Sequence, residues 1–294
     1  MPNHITNIVK VEGSPEKVKE LFLYVKGEKS EFDFNKIIPM PESLNITSGS
    51  NVDNAIAILS NDLEKFNEML DWGWVKEEGI ETVEELQKVL MKKLSPKDMQ
   101  EGKIALDNLV KYGHKSWYSW SIANWGTKWN AYDIVKNNDN EIIFDTAWST
   151  PFPVIEKLAQ KFPELTIEVK FADEDIGSNC GVYSFEGGIF FSEYLPNGWS
   201  AMKFAIEIKG GDDGLALMVA QYLPYINEEK LDDDFIEDLN SFISNEELTE
   251  WFIEIVKNNC EDNEGIQKVK RIMSKVALEN ELYEIMDKID CMDK

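Results

Sequence analysis

The chain has 294 residues, 43% of them hydrophobic, enough apolar material for one principal core and at least one appended unit. Its 30 Lys and Arg face 55 Asp and Glu, and the net charge of -25 repels phosphate backbones and anionic membranes, which excludes direct wrapping of DNA or RNA. That field suits docking on a basic surface, including one that normally holds nucleic acid, while plain solubility accounts for it as well.

The predicted elements open with a strand, since His4 to Val11 alternates with Ile5, Ile8, Val9 and Val11 as β-branched members. Ser14 then caps a helix with Pro15 in its first turn, and the spacing Val18, Leu21, Phe22, Val25 carries it to near Gly27. Glu31 to Ile38 alternates again before Pro39 and Pro41, which predicts a second strand paired with the first. Residues 51–112 change to helical spacing, with a capping box at Thr82 and Glu85 and a further start at Ser95 and Pro96. This stretch is expected to be a helical insertion, because loops longer than about 15 residues without structure are uncommon.

The aromatic-dense stretch that follows holds Trp117, Tyr118, Trp120, Trp125, Trp129, Tyr132, Phe144 and Trp148. Lys128 to Val135 and Glu141 to Ala147 alternate around the turn-rich 136–140, which predicts a hairpin. Val154, Ile155, Leu158, Ala159 and Phe162 mark a second amphipathic helix, Thr166 to Phe171 a strand, and Gly181 to Glu186 with Ile189 to Tyr194 another hairpin. Met202 to Ile208 alternates weakly. Ile226 to Lys294 has 20 Asp and Glu against 8 Lys and Arg, nearly half the net charge, yet keeps helical apolar spacing. The expected fold class is α+β: a ferredoxin-like antiparallel sheet with two packed helices, a helical insertion and an acidic C-terminal helical region. The expected domains are 1–50 with 113–225, the insertion 51–112, and the acidic region 226–294.

Little in the chain points to catalysis. Arg271 is the single arginine, so no arginine pair exists to clamp a phosphate or carboxylate. Cys180, Cys260 and Cys291 are odd in number and widely spaced, which suits reduced thiols, and neither His4 nor His114 sits in a metal-ligand motif. Gly177 to Gly181 imitates a nucleophile elbow with Asn179 at its centre, and fits a turn better. Asp173, Glu174 and Asp175 could ligate a hard cation, the basis of an alternative reading as a metal-dependent enzyme acting on nucleic acid or a nucleotide; a solvated turn is the plainer account. There is no phosphate-cradling glycine loop. The expectations are therefore no enzyme activity, no cofactor, no metal, and, lacking a leader or an apolar span, a cytoplasmic location. The aromatic side chains have two readings, core packing and interface anchors. As anchors the candidates are Trp117, Tyr118, Trp120, Trp125, Trp129, Trp251 and Phe252.

Several segments together resemble a known family. These are Met1 to Asn7, Phe32 to Pro41, Trp125 to Tyr132, Phe144 to Pro153, and Gly177 with Gly181. They are similar to the YubB-type ferredoxin-like proteins of phages and mobile elements, over about residues 1–195. The resemblance implies the ferredoxin-like topology and a phage or plasmid origin, and no established chemistry. Size, acidity and origin are also similar to phage inhibitors of the Gabija defence system, which surround a bacterial nuclease-helicase as oligomers. On that likeness the expected function is inhibition of a host defence protein complex by a homo-oligomer that binds neither nucleic acid nor membrane directly. An acidic DNA mimic directed against restriction is a further alternative.

Overall fold

Alternation puts Ile5, Asn7, Val9 and Val11 on the fully buried side of strand β1 (His4–Glu12). The computed structural model describes residues 2–209 with 271 and 272, so the expected acidic region, and Trp251 and Phe252 within it, lie outside the described residues. After β1, the Ser14 side chain accepts the Lys17 amide hydrogen and opens α1 (Pro15–Val25), whose Val18, Leu21, Phe22 and Val25 are buried.

Residues 31–38 form no strand, contrary to the sequence expectation. Asp33 accepts the Asn35 amide hydrogen at 3.0 Å and caps a 3-10 turn at Phe34–Lys36. The apparent period of two came from Phe32 and Phe34, which are both fully buried beside Phe144, at ring separations of 4.9 and 6.0 Å. Two buried rings two residues apart imitate a strand when a turn delivers both to one core.

Five helices follow: α2 (Ser50–Ser60), α3 (Leu63–Leu70), α4 (Gly73–Glu77), α5 (Val83–Lys93) and α6 (Pro96–Tyr112). Complete capping boxes start α5, at Thr82 and Glu85, and α6, at Ser95 and Asp98. Ala57, Phe66, Met69, Val75, Ile80, Leu86 and Leu90 make a core among these helices. Gly102 lets α6 lie against α2: a Cβ there would stand 2.6 Å from that of Ala55.

Next come α7 (Trp117–Trp125), strands β2 (Tyr132–Asn138) and β3 (Glu141–Ala147), and α8 (Phe152–Lys161). Strands β4 (Thr166–Asp173), β5 (Gly181–Glu186) and β6 (Ile189–Tyr194) and helix α9 (Gly198–Lys209) complete the described elements. The sheet order is β2-β3-β1-β4-β5-β6. Its first four members reproduce the ferredoxin-like order, with α1 and α8 as the crossover helices and β5-β6 appended. β3 pairs antiparallel with both β1 and β2. Asn7 stands opposite Phe144, and its amide donates to Thr146 Oγ1 at 2.8 Å and to Ile5 O at 2.9 Å. Its Oδ1 is buried without a partner.

The predicted Lys128 start of β2 and the weak strand at Met202 are both displaced. β2 begins at Tyr132 because residues 126–131 are held as a turn, and Met202 lies within α9, where Ala201, Ala205 and Ile206 are buried at helical spacing. The chain divides into two compact units, residues 1–168 with 184–191, and residues 169–183 with 192–294. In the second, Ala172, Cys180, Ala201 and Ala205 cluster with Ile176, Phe204 and Ile208. The Cys180 thiol donates to Ala201 O at 3.4 Å, and burial pushes its pKa up. No helix among the described residues is long and apolar enough to cross a membrane.

Candidate functional site

The stretches around Asn3, Phe34, Thr127 and Trp148 meet at one place in the first unit, and polar side chains bonded to backbone do most of the joining. Asn130 Oδ1 accepts the amide hydrogens of Phe34 and Ala131, each at 2.9 Å, while its Nδ2 donates to Asp33 Oδ1 at 2.7 Å. The Trp125 indole donates to Ile38 O at 2.9 Å. Thr127 Oγ1 donates to Ala147 O at 2.7 Å and accepts that residue's amide hydrogen at 3.1 Å. Ser149 Oγ donates to Gly126 O, and Trp148 N donates to Asn3 O at 2.9 Å. The Tyr132 hydroxyl donates to Thr146 O at 3.0 Å, with His4 Nδ1 2.8 Å away. Gly126 follows α7 at φ 77°, and a Cβ there would come 2.7 Å from Pro153 Cδ, so the turn requires glycine twice over.

This scaffold sorts the aromatic rings. Trp120 and Trp125 pack inward, 6% and 4% exposed, with ring centroids 5.4 Å apart. Tyr118, Trp129 and Trp148 stay 36–40% exposed, and Trp117 is half-buried with its ring on Tyr118 at 5.6 Å. Of the seven predicted anchors, two are therefore core, three border this surface, and two fall outside the described residues. Trp148 had not been singled out as an anchor. It takes φ 77°, a left-handed backbone that a bulky side chain rarely adopts, and a sequence carries no signal of that.

Three ring faces converge on one cation. Lys128 Nζ lies 4.7 Å from the Trp148 ring centroid, 4.8 Å from that of Trp129 and 5.7 Å from that of Tyr118. None of the ion pairs among the described residues involves Lys128. Its backbone is anchored, since Lys128 N donates to Ala147 O at 3.3 Å and Lys128 O accepts from Ser121 Oγ at 2.8 Å. Beside it is a hollow of about 250 Å³ lined by Trp117, Trp125, Trp129, Met40, Asn45 and Asn130 among others. A hollow of about 870 Å³ lies between α1 and the β2-β3 turn, where Lys26 pairs with Glu31 at 2.5 Å and Lys136 with Asp139 at 4.0 Å.

The other sequence candidates do not assemble. His4 contacts Tyr132, and His114 Nδ1 is 3.2 Å from Ser119 Oγ. Asp173 is buried and accepts from Asp175 N at 2.9 Å and Asn179 Nδ2 at 3.1 Å, which organises a turn. Among the described residues, no group of three or more His, Cys, Asp or Glu could hold a metal ion.

Residues 124–210 match the family model described as the ferredoxin-like domain in Api92-like protein. The crystal structure of a protein api92 from Yersinia pseudotuberculosis matches with 10% identity over 67% of this chain and 99% of that one, at a TM-score of 0.29. No curated protein matches the chain. With the strand order already described, the matched segment identifies a ferredoxin-like domain, similar to that of Api92-like proteins, within an α+β chain.

Proposed function

We propose that the chain is a non-enzymatic binding protein that acts through the surface formed by Tyr118, Trp129 and Trp148. Its target, on the mobile-element resemblance of its motifs, is a bacterial antiviral defence complex, and a Gabija-type nuclease-helicase is the first to test. The observation that carries the binding role is the presentation of three large rings at the surface by a network of buried and half-buried polar contacts and a left-handed Trp148. A core needs no such device, whereas interface hot spots are rich in tryptophan and tyrosine. The net charge of -25 supports a partner with a basic face and a fast, salt-sensitive encounter.

The test is co-expression of the tagged full-length chain with the nuclease-helicase, with co-purification and protection of phage growth as readouts. Capture is expected to fall by about 30-fold or more when Trp129 and Trp148 are both changed to Ala, the scale of a hot-spot pair. Capture and protection that persist unchanged in the double variant would remove this surface from the function. A complex that dissolves fully in high salt, with the double variant behaving as wild type, would instead support the acidic mimic.

A further inference from the structure

The faces of Tyr118, Trp129 and Trp148 form an aromatic cage, and the cation inside it belongs to the protein itself. Each face is the negative end of a ring quadrupole, so the niche favours an ammonium or guanidinium and disfavours a carboxylate or phosphate. Lys128 reaches it on a flexible four-carbon stem from an anchored backbone, and none of the ion pairs among the described residues holds its head there. A side chain so tethered can leave without unfolding anything.

We infer that this cage is a recognition site for a lysine or arginine side chain of a basic protein partner, with Lys128 as the resident surrogate that the partner's cation displaces. Charge complementarity selects that occupant: the net charge of -25 concentrates basic surfaces around the chain, and the cage adds a local niche of the same sign. Lys128 keeps the rings covered until a partner arrives. Because it competes from within, it lowers the apparent affinity for any external cation by the fraction of molecules in which the cage is free.

This inference rests on the binding role proposed above and names its chemistry. It is read without any protein partner, by titrating the full chain with choline and with the uncharged isostere 3,3-dimethyl-1-butanol, following indole fluorescence and heat. Lys128→Ala is expected to bind choline about tenfold more tightly than wild type, as when some tenth of wild-type cages are free. Trp148→Ala in the same background should lose that binding, and the isostere should bind far more weakly throughout. Choline binding no tighter in Lys128→Ala, or equal binding of choline and the isostere, overturns the proposal. Circular dichroism verifies the fold, and Lys128→Gln replaces the alanine variant if that one is misfolded. A failed titration with defence-complex capture intact would remove only the cation reading; a successful titration with no capture would remove only the proposed target.

Discussion

The helical insertion and the aromatic surface both use large apolar side chains, and they use them in opposite ways. In α2–α6, Phe66, Met69 and Leu86 are fully buried, and local capping boxes close the starts of α5 and α6. In residues 118–149 hydrogen bonds between the side chains of Thr127, Asn130 and Ser149 and backbone distant in sequence fix the rings, and those of Tyr118, Trp129 and Trp148 remain at the surface. Burial stabilises the first region and wants no solvent; polar anchoring holds the second in a position that burial alone would not select. An exposed aromatic therefore has to be read from what fixes its backbone, since its own hydrophobicity favours the interior in both places.

Removal of Phe144 should have the largest effect. It is fully buried against Phe32 and Phe34, so Phe144→Ala is expected to cost about 3–5 kcal/mol in urea unfolding and to disturb the aromatic surface through Phe34, whose ring also meets that of Trp125 at 5.7 Å. Phe66→Ala should cost a similar amount while leaving choline binding by the Lys128→Ala background unchanged; if it abolished that binding, the contrast between the two regions would fail. Asn130→Ala should come next, at roughly 1–3 kcal/mol, because it strands the Phe34 amide and one side of Asp33. Its effect on Trp fluorescence should exceed that of Thr82→Ala, which removes one cap of α5 for about 1 kcal/mol and touches no ring of the cage.

Acid gives the smallest and most local signature. Hydrogen bonds from Glu81 N and the Thr82 hydroxyl hold the Glu85 carboxyl below its usual range, and the Ser95 hydroxyl and amide do the same for Asp98. Both pKa values are lowered in the native state, so their contribution is present above the ordinary carboxylate range and fades as pH falls through the lowered values. The urea midpoint of the helical signal should drop as pH falls through and below the ordinary carboxylate range in wild type, and less steeply in Glu85→Gln with Asp98→Asn. Equal slopes would show that the boxes contribute nothing in this exposed setting.

Much of the fold was legible because its signals are local. The alternation of β1, the capping boxes of α5 and α6, and the apolar spacing of α8 each determine an element from its own residues. The failures have a common cause in long-range context. Phe32 and Phe34 carry the period of a strand, but a turn capped by Asp33 and bonded to Asn130 sets their backbone, and α7 shows no helical period because nearly every position in Trp117–Trp125 is apolar or small. For the candidate site, the sequence grouped these aromatics without separating the inward Trp120 and Trp125 from the outward Tyr118 and Trp129. Lys128 stood in view between two tryptophans, but its role depends on the backbone of Trp148 twenty residues later.

The pairing of Asn7 with Thr146 across 139 residues bears on how the chain is made. At about 5–20 residues per second, β1 waits on the order of ten seconds after synthesis before its partner β3 has even been translated. The local helices of the insertion can form during that interval, which leaves closure of the sheet as the late, slow event. Asn7, an amide set among the β-branched Ile5, Thr6, Ile8 and Val9, lowers the propensity of this stretch to pair with stray strands over that wait, until Thr146 arrives to receive it.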